Sequence, residues 1–116
     1  MEITDKLKGS SLKDVVQIPP GLLELARKTA YDLFIAEKFD DVEVLLQGIL
    51  AADNQDAWSL ALYGAIMRKK GKFKEALVLM ETAHALAPDN DNIRTMRDEI
   101  VNFGTAMQAA AKSGAA

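Results

Sequence analysis

The best candidate for chemistry in this sequence is an acidic turn at residues 89–92, which reads Asp-Asn-Asp-Asn. The Asp-x-Asp spacing is typical of the first ligands of a calcium-binding loop. Such a loop also needs glycine at its sixth position and a bidentate glutamate at its twelfth. Here those two positions hold Arg94 and Ile100. We therefore interpret the turn as a cap at the start of the following helix.

The other residue types that carry chemistry are sparse. His84 is the single histidine and the chain has no cysteine, so the sequence offers neither a zinc cluster nor a thiol nucleophile. We interpret His84 as a surface or core residue of a helix rather than as a base. Gly64 and Gly71 are too far apart to form a phosphate-binding loop. We expect no cofactor, no metal ion and no enzymatic activity.

Composition favours one small helical domain. The 116 residues are 49% hydrophobic but only 6% aromatic, which suits a core rich in alanine and leucine. The absence of cysteine is typical of the reducing cytosol. We expect a cytoplasmic protein, because we find no signal-peptide pattern and no apolar run of the roughly 20 residues that span a membrane. The net charge of -3 argues against nucleic acid as a partner.

The elements that must position any functional surface are clearest at residues 57–88, where two amphipathic helices meet at a turn around Gly71. Gly64 and Ala76 place small residues where the two helices cross, and Pro88 cannot continue the second helix. The pattern predicts a helix–turn–helix hairpin with close backbone approach. The apolar positions, at the i, i+3, i+4, i+7 spacing of one helical face, are Leu60, Tyr63, Gly64 and Met67, then Phe73, Ala76, Leu77, Met80, Ala83 and Leu86.

The same pattern occurs once before in the chain, with Glu37 in the place of the turn glycine. The interval between the two copies matches the period of tetratricopeptide repeats, about 34 residues; the other interpretation is an ordinary helical bundle whose spacing is a coincidence. The aligned pairs are Lys38-Phe39 with Lys72-Phe73, Ala30 with Gly64, Leu33 with Met67, Val42 with Ala76, Leu46 with Met80, Ile49 with Ala83 and Asn54 with Pro88.

The second unit resembles a tetratricopeptide repeat closely, whereas the first is degenerate, with Ala30 for the first glycine and Val42 for the first alanine. The resemblance implies an all-α fold of tetratricopeptide-like helical hairpin repeats: two hairpins, an N-terminal arm and a C-terminal capping helix. The residues that fit the consensus are Tyr63, Gly64, Gly71, Phe73, Ala76, Ala83 and Pro88.

We divide the chain into an arm at residues 1–21, a helical domain at 22–112 and a disordered tail at 113–116. The arm is either a flexible tail or a docking arm that packs on a second copy. The predicted helices cover residues 12–17, 22–37 and 41–52, the hairpin of 57–88, and a final helix from near Asn92. That final helix either frays at Gly104 or continues to Lys112.

Three runs look like the start of the small tetratricopeptide chaperones of bacterial type III secretion: A-Y-D-L-F at residues 30–34, K-F-D-D-V at 38–42 and A-A-D at 51–53. The similarity covers roughly residues 22–91. It implies a cytosolic chaperone that keeps a translocator or needle subunit soluble before export. The chain lacks the complete third repeat of the translocator class and is nearer in size to the needle-subunit chaperones.

In tetratricopeptide repeats the first helix of each hairpin lines a concave face, so the resemblance assigns a groove that binds a protein or peptide client. Trp58 would point into this groove, because Leu60 holds the position of the family's usual large residue; alternatively, Trp58 packs in the core. Arg68 and Lys69 either hold acidic groups of the client or simply decorate a helix end. The assigned residues are Arg27, Tyr31, Phe34, Ile35, Trp58, Ala61, Ala65, Arg68 and Lys69.

Two repeats are fewer than the three that a stable stack usually needs. We therefore expect a homodimer, or a complex with another chaperone subunit, and no nucleic-acid or membrane partner. The alternative function is that of a structural or assembly-factor subunit that acts through oligomerisation.

Overall fold

The computed structural model describes residues 18–114, and these are helical almost throughout. The predicted all-α fold of helical hairpins is confirmed, and the described residues contain no strand. The predicted arm helix at 12–17 and the last two residues of the tail lie outside the described range. The elements are a 3-10 turn at Pro20–Leu22 and five α-helices: α1 at Leu23–Ile35, α2 at Phe39–Ala52, α3 at Ala57–Lys69, α4 at Phe73–Leu86 and α5 at Asp91–Gly114.

The helix ends differ from the prediction by a few residues. Helix α2 begins at Phe39, two residues before the predicted start, so that Asp40 and Asp41 both lie in its first turn, where the helix dipole favours them. Helix α5 begins at Asp91 and continues through Gly104 to Gly114, two residues into the segment assigned to the tail. None of the described helices is long and apolar enough to cross a bilayer.

The two hairpin turns share one backbone conformation. Gly71 has a φ of 79°, in the left-handed region that ends many helices, and Glu37 has a φ of 62° at the equivalent position of the first hairpin. A glutamate is less free than a glycine to take a positive φ, yet Glu37 takes one like Gly71. The turn geometry therefore belongs to the repeat and not to the glycine alone.

The hydrogen bonds of these turns also repeat, at the same interval as the side-chain pattern. The N–H of Lys38 donates to the carbonyl of Leu33 over 2.9 Å, and the N–H of Lys72 donates to that of Met67 over 2.8 Å. Each bond closes the last turn of a first helix and satisfies a carbonyl that the helix itself leaves unpaired. The repeat predicted from side-chain types is thus also a repeat of backbone bonding.

The described chain divides into two compact units, with the boundary inside α3 between Ser59 and Leu60. In the first unit, α1 packs on α2. The predicted crossing residue Ala30 is fully buried, which lets the two backbones approach closely. The buried apolar side chains of this unit are Ala26, Ala30, Val42, Leu46 and Ile49.

In the second unit, α3 crosses α4 at Gly64. A Cβ atom at Gly64 would lie 3.3 Å from the carbonyl oxygen of Ala76 and 3.3 Å from Met80. Helix α5 then packs on α4 and buries Ile93 and Ile100. The predicted roles of the crossing glycine and of the C-terminal capping helix are both confirmed. Ile66, which the predicted stripe omits, is fully buried as well.

Candidate protein-binding surface

An exposed apolar face on α1 is the clearest part of the predicted groove. Tyr31 is 50% exposed and Ile35 is 61% exposed, and a separation of four residues puts them one turn apart on the same side of the helix. Phe34 is half-buried, and its ring centroid lies 5.6 Å from that of Phe39. The first hairpin therefore holds Phe34 against Phe39 and leaves Tyr31 and Ile35 exposed to solvent.

Arg27 belongs to a polar network that sequence patterns did not reveal. Its Nε donates to Oδ2 of Asp56 over 2.7 Å, and the Ser59 hydroxyl donates to the same oxygen over 2.8 Å. The side chains of Arg27 and Asp56 are only 30% and 9% exposed, and Ser59 is fully buried. Since Arg27 and Asp56 are 29 residues apart in sequence, no local spacing could have predicted this contact.

Trp58 lies in the first turn of α3 and is 37% exposed. The side chain is therefore neither a fully enclosed core residue nor a free surface residue. Part of Trp58 remains exposed to solvent, while its neighbour Ser59 is buried. Leu60, the position that the resemblance assigned to the core, is buried too.

The remaining predicted groove residues follow Leu60 and belong to the second unit. Ala61 is buried, and Ala65 is half-buried. Arg68 forms an exposed ion pair with Glu99, with 3.3 Å between the charged atoms. Lys69 is exposed at the end of α3, where a cation suits the helix dipole.

An apolar groove between α4 and α5 was not among the predicted sites. Phe73, which lines this groove, stacks on Phe103, with ring centroids 4.8 Å apart and ring planes inclined by 29°. Phe103 follows Ile100 at the i, i+3 spacing of an apolar helical face, and this spacing is the signal that could have found the groove. The groove has a volume of about 360 Å³ and is lined by Phe73, Lys74, Leu77, Ile100, Val101, Gly104, Thr105 and Gln108.

A second shallow hollow lies on the second hairpin, with a volume of about 440 Å³. Val78 at its border is 65% exposed. Tyr63 and Met67, which line it, were predicted only as members of the hairpin's apolar face. The lining residues are Tyr63, Met67, Lys74, Glu75, Val78 and Leu79.

The acidic turn at residues 89–92 is a helix cap, as predicted. Oδ1 of Asn90 accepts the backbone N–H of Ile93 over 3.0 Å at the start of α5. Earlier, Asp53 accepts the N–H of Gln55 over 3.1 Å in the equivalent turn of the first unit. Within the described residues, no group of three or more histidine, cysteine, aspartate or glutamate side chains could hold a metal ion.

His84 lies in the last turn of α4. Its Nδ1 is buried and makes no hydrogen bond to the part of the chain that the structure describes. A catalytic base needs a positioned partner or a substrate-accessible cleft, and His84 lines neither of the two grooves described above.

The α1 face and the two grooves are thus lined largely by apolar and aromatic side chains. No protein-family model matches the chain, and no curated protein is significantly similar to it.

Proposed function

We propose that this protein is an adaptor that binds a protein or peptide client through the exposed face of α1. The observation that carries the proposal is the pairing of Tyr31 and Ile35, which are 50% and 61% exposed on adjacent turns. Large apolar side chains grouped on one helical face are a common feature of protein-binding surfaces. Trp58, 37% exposed within the same unit, supplies a second aromatic side chain.

The specific role that we propose is that of a cytoplasmic chaperone for a type III secretion subunit, either a translocator or a needle protein. This role rests on the resemblance of residues 22–91 to the tetratricopeptide chaperones of those systems. The client would bind as an extended or helical segment, with its apolar side chains against Tyr31 and Ile35. The function would be binding and not catalysis.

The test begins with co-purification from the native cell and identification of the client by mass spectrometry. Calorimetric titration of that client then compares the wild type with Trp58→Ala and Tyr31→Ala. Removing a central aromatic anchor typically costs about 2 kcal/mol or more, so each variant should bind about thirtyfold more weakly.

The matched control is Val78→Ala on α4. Val78 is 65% exposed and lies outside the proposed surface, so its truncation should leave the affinity unchanged. Circular dichroism confirms that each variant is folded. Normal client binding by both aromatic variants would rule out this surface, and loss of helicity in Trp58→Ala would show that Trp58 acts in the core.

A structural or assembly role is the second candidate. It is favoured by the exposed apolar end of α5, where Phe103 and Met107 are 38% and 55% exposed. Co-purification separates the two functions: recovery of copies of the chain alone would favour assembly, and recovery of one abundant small client would favour the adaptor.

A further inference from the structure

Helix α5 is much longer than the helix on which it packs. It has 24 residues against the 14 of α4, or about 36 Å against about 21 Å at 1.5 Å per residue. The two helices run antiparallel, because Arg97 pairs with Glu81 and Phe103 stacks on Phe73, the first residue of α4. Helix α4 therefore begins opposite Phe103. Gly104, Thr105 and Gln108 still border the groove beside its first turn, and the rest of residues 104–114 extends past it.

Helix α3 does not cover this extension either. It ends at Lys69, and its last turn lies beside Glu99, through the ion pair of Arg68. Every residue from 105 to 111 is exposed. We call residues 104–114 the α5 extension.

The composition of this part of α5 is unusual for an exposed helix. Residues 100–111 include no aspartate, glutamate, lysine or arginine. The stripe that buries Ile93 and Ile100 against α4 continues at the same helical spacing through Phe103 and Met107 to Ala111. An apolar stripe that is continuous with a packed interface, and that then leaves its partner, exposes side chains that a further helix could bury.

The extension also lacks the means to stabilise itself. A helix shorter than about 12–15 residues is marginal in water without tertiary packing, and glycine at position 104 lowers its helix propensity further. Among the described residues of one copy, the junction with the packed half of α5 and the groove beside the start of α4 are what support it. A covering helix would supply the missing apolar burial.

We propose that the α5 extensions of two copies of this chain pack against each other, antiparallel and related by a twofold axis near Met107. In that arrangement Phe103 of one copy faces Ala111 of the other, and Met107 faces its own equivalent. On either side of the axis a large side chain, Phe103, thereby opposes a small one, Ala111, and the flexible methionines fill the centre. An isologous contact of this kind uses one patch twice.

A second copy fits this surface because the surface is complementary to itself. With no charge between residues 100 and 111, two antiparallel copies bring no like charges together. The alanines at 110 and 111, which lie near Met107 on the same side of the helix, let the two backbones approach closely, as small residues do at helix crossings. This contact is separate from the proposed client surface on α1 and does not depend on it.

The first experiment uses introduced cysteines, because the natural chain has none. In the full-length protein, Met107→Cys lies at the proposed axis and should form a disulfide-linked dimer under mild oxidation. The matched control is Ala109→Cys, which is also exposed but points about 160° away around the helix at 100° per residue. Equal cross-linking of both variants, or of neither, would overturn the proposal.

The second experiment measures dissociation by analytical ultracentrifugation. Met107→Glu places a carboxylate in the contact and should raise the dimer dissociation constant about tenfold or more, whereas Ala109→Glu should leave it unchanged. Methionine and glutamate have similar helix propensities, and Met107 is more than half exposed in one copy, so both variants should show wild-type circular dichroism. A wild-type chain that stays monomeric at about 100 μM, far above a typical micromolar constant, would also contradict the proposal.

Discussion

At the scale of single residues, Glu37 and Gly71 offer a direct comparison, because they hold the same left-handed backbone position in successive hairpins. A residue with a Cβ atom is strained there by about 1–2 kcal/mol. We expect Glu37→Gly to raise the free energy of unfolding by about 0.5–1 kcal/mol, since relief of the strain exceeds the entropy that glycine adds to the unfolded chain. Urea denaturation measures this change.

The reverse substitution supplies the control. Gly71→Ala should lower the free energy of unfolding by about 1 kcal/mol, since alanine cannot take a positive φ without strain. If both substitutions lowered the free energy of unfolding, the Glu37 side chain would have to stabilise the fold by more than its left-handed backbone conformation destabilises it.

Arg27 and Arg68 were both assigned to the groove, but their ion pairs should contribute differently to stability. The Arg27–Asp56 contact is short and largely shielded from solvent, so Arg27→Ala leaves a carboxylate with one hydrogen-bond donor fewer. We expect a loss of about 1.5–3 kcal/mol in the free energy of unfolding. Client affinity should change little in the temperature range where the variant remains folded.

The comparison is Arg68→Ala. Its pair with Glu99 has side-chain exposures of 40% and 56%, and exposed ion pairs contribute about 0–1 kcal/mol. Thermal and urea melts of the two variants should therefore differ clearly. Equal melts would show that the network around Asp56 adds no stability.

At the scale of helices, the crossing of α3 and α4 depends on the missing side chain of Gly64. A Cβ atom there meets the Ala76 carbonyl oxygen and Met80 at 3.3 Å, and the backbone oxygen cannot move aside without shifting α4. Gly64→Ala should destabilise the protein slightly, and Gly64→Leu should cost about 1–3 kcal/mol through overpacking.

Gly104 provides the matched substitution, since it too lies inside a helix. A Cβ atom there meets nothing within 4 Å, so Gly104→Ala should raise the free energy of unfolding by about 0.5–1 kcal/mol through helix propensity alone. Opposite signs for the two glycine-to-alanine changes are the expected result in a urea melt. A melt of Gly64→Leu that equals the wild type would contradict the crossing.

At the scale of the whole molecule, the sequence predicted the succession of helices and turns along the chain. The repeat period, the small residues Ala30 and Gly64 at the crossings and the turns around Glu37 and Gly71 could all be predicted. These features are local, so propensity and spacing determine them.

Features that depend on tertiary contacts could not be predicted from the sequence. The partner of Arg27 is 29 residues away, and the full burial of Ile66 depends on which helices surround it. To predict the α5 extension from the sequence, one would need the lengths of both α5 and α4 and the register in which they pack. A stripe of apolar residues gives the face of a helix but not the point where its neighbour stops.

The repeated turn bonds have a consequence for how such a chain can lengthen in evolution. Helix α5 starts at Asp91, one repeat period after α3 starts at Ala57, and the N–H of Asn90 donates to Ala87 as that of Asp56 does to Asp53. A tandem duplication of one period would therefore join the existing turn in register, without any new loop. Copy number in this fold can change in whole units, because each unit ends in the bonding pattern with which the next begins.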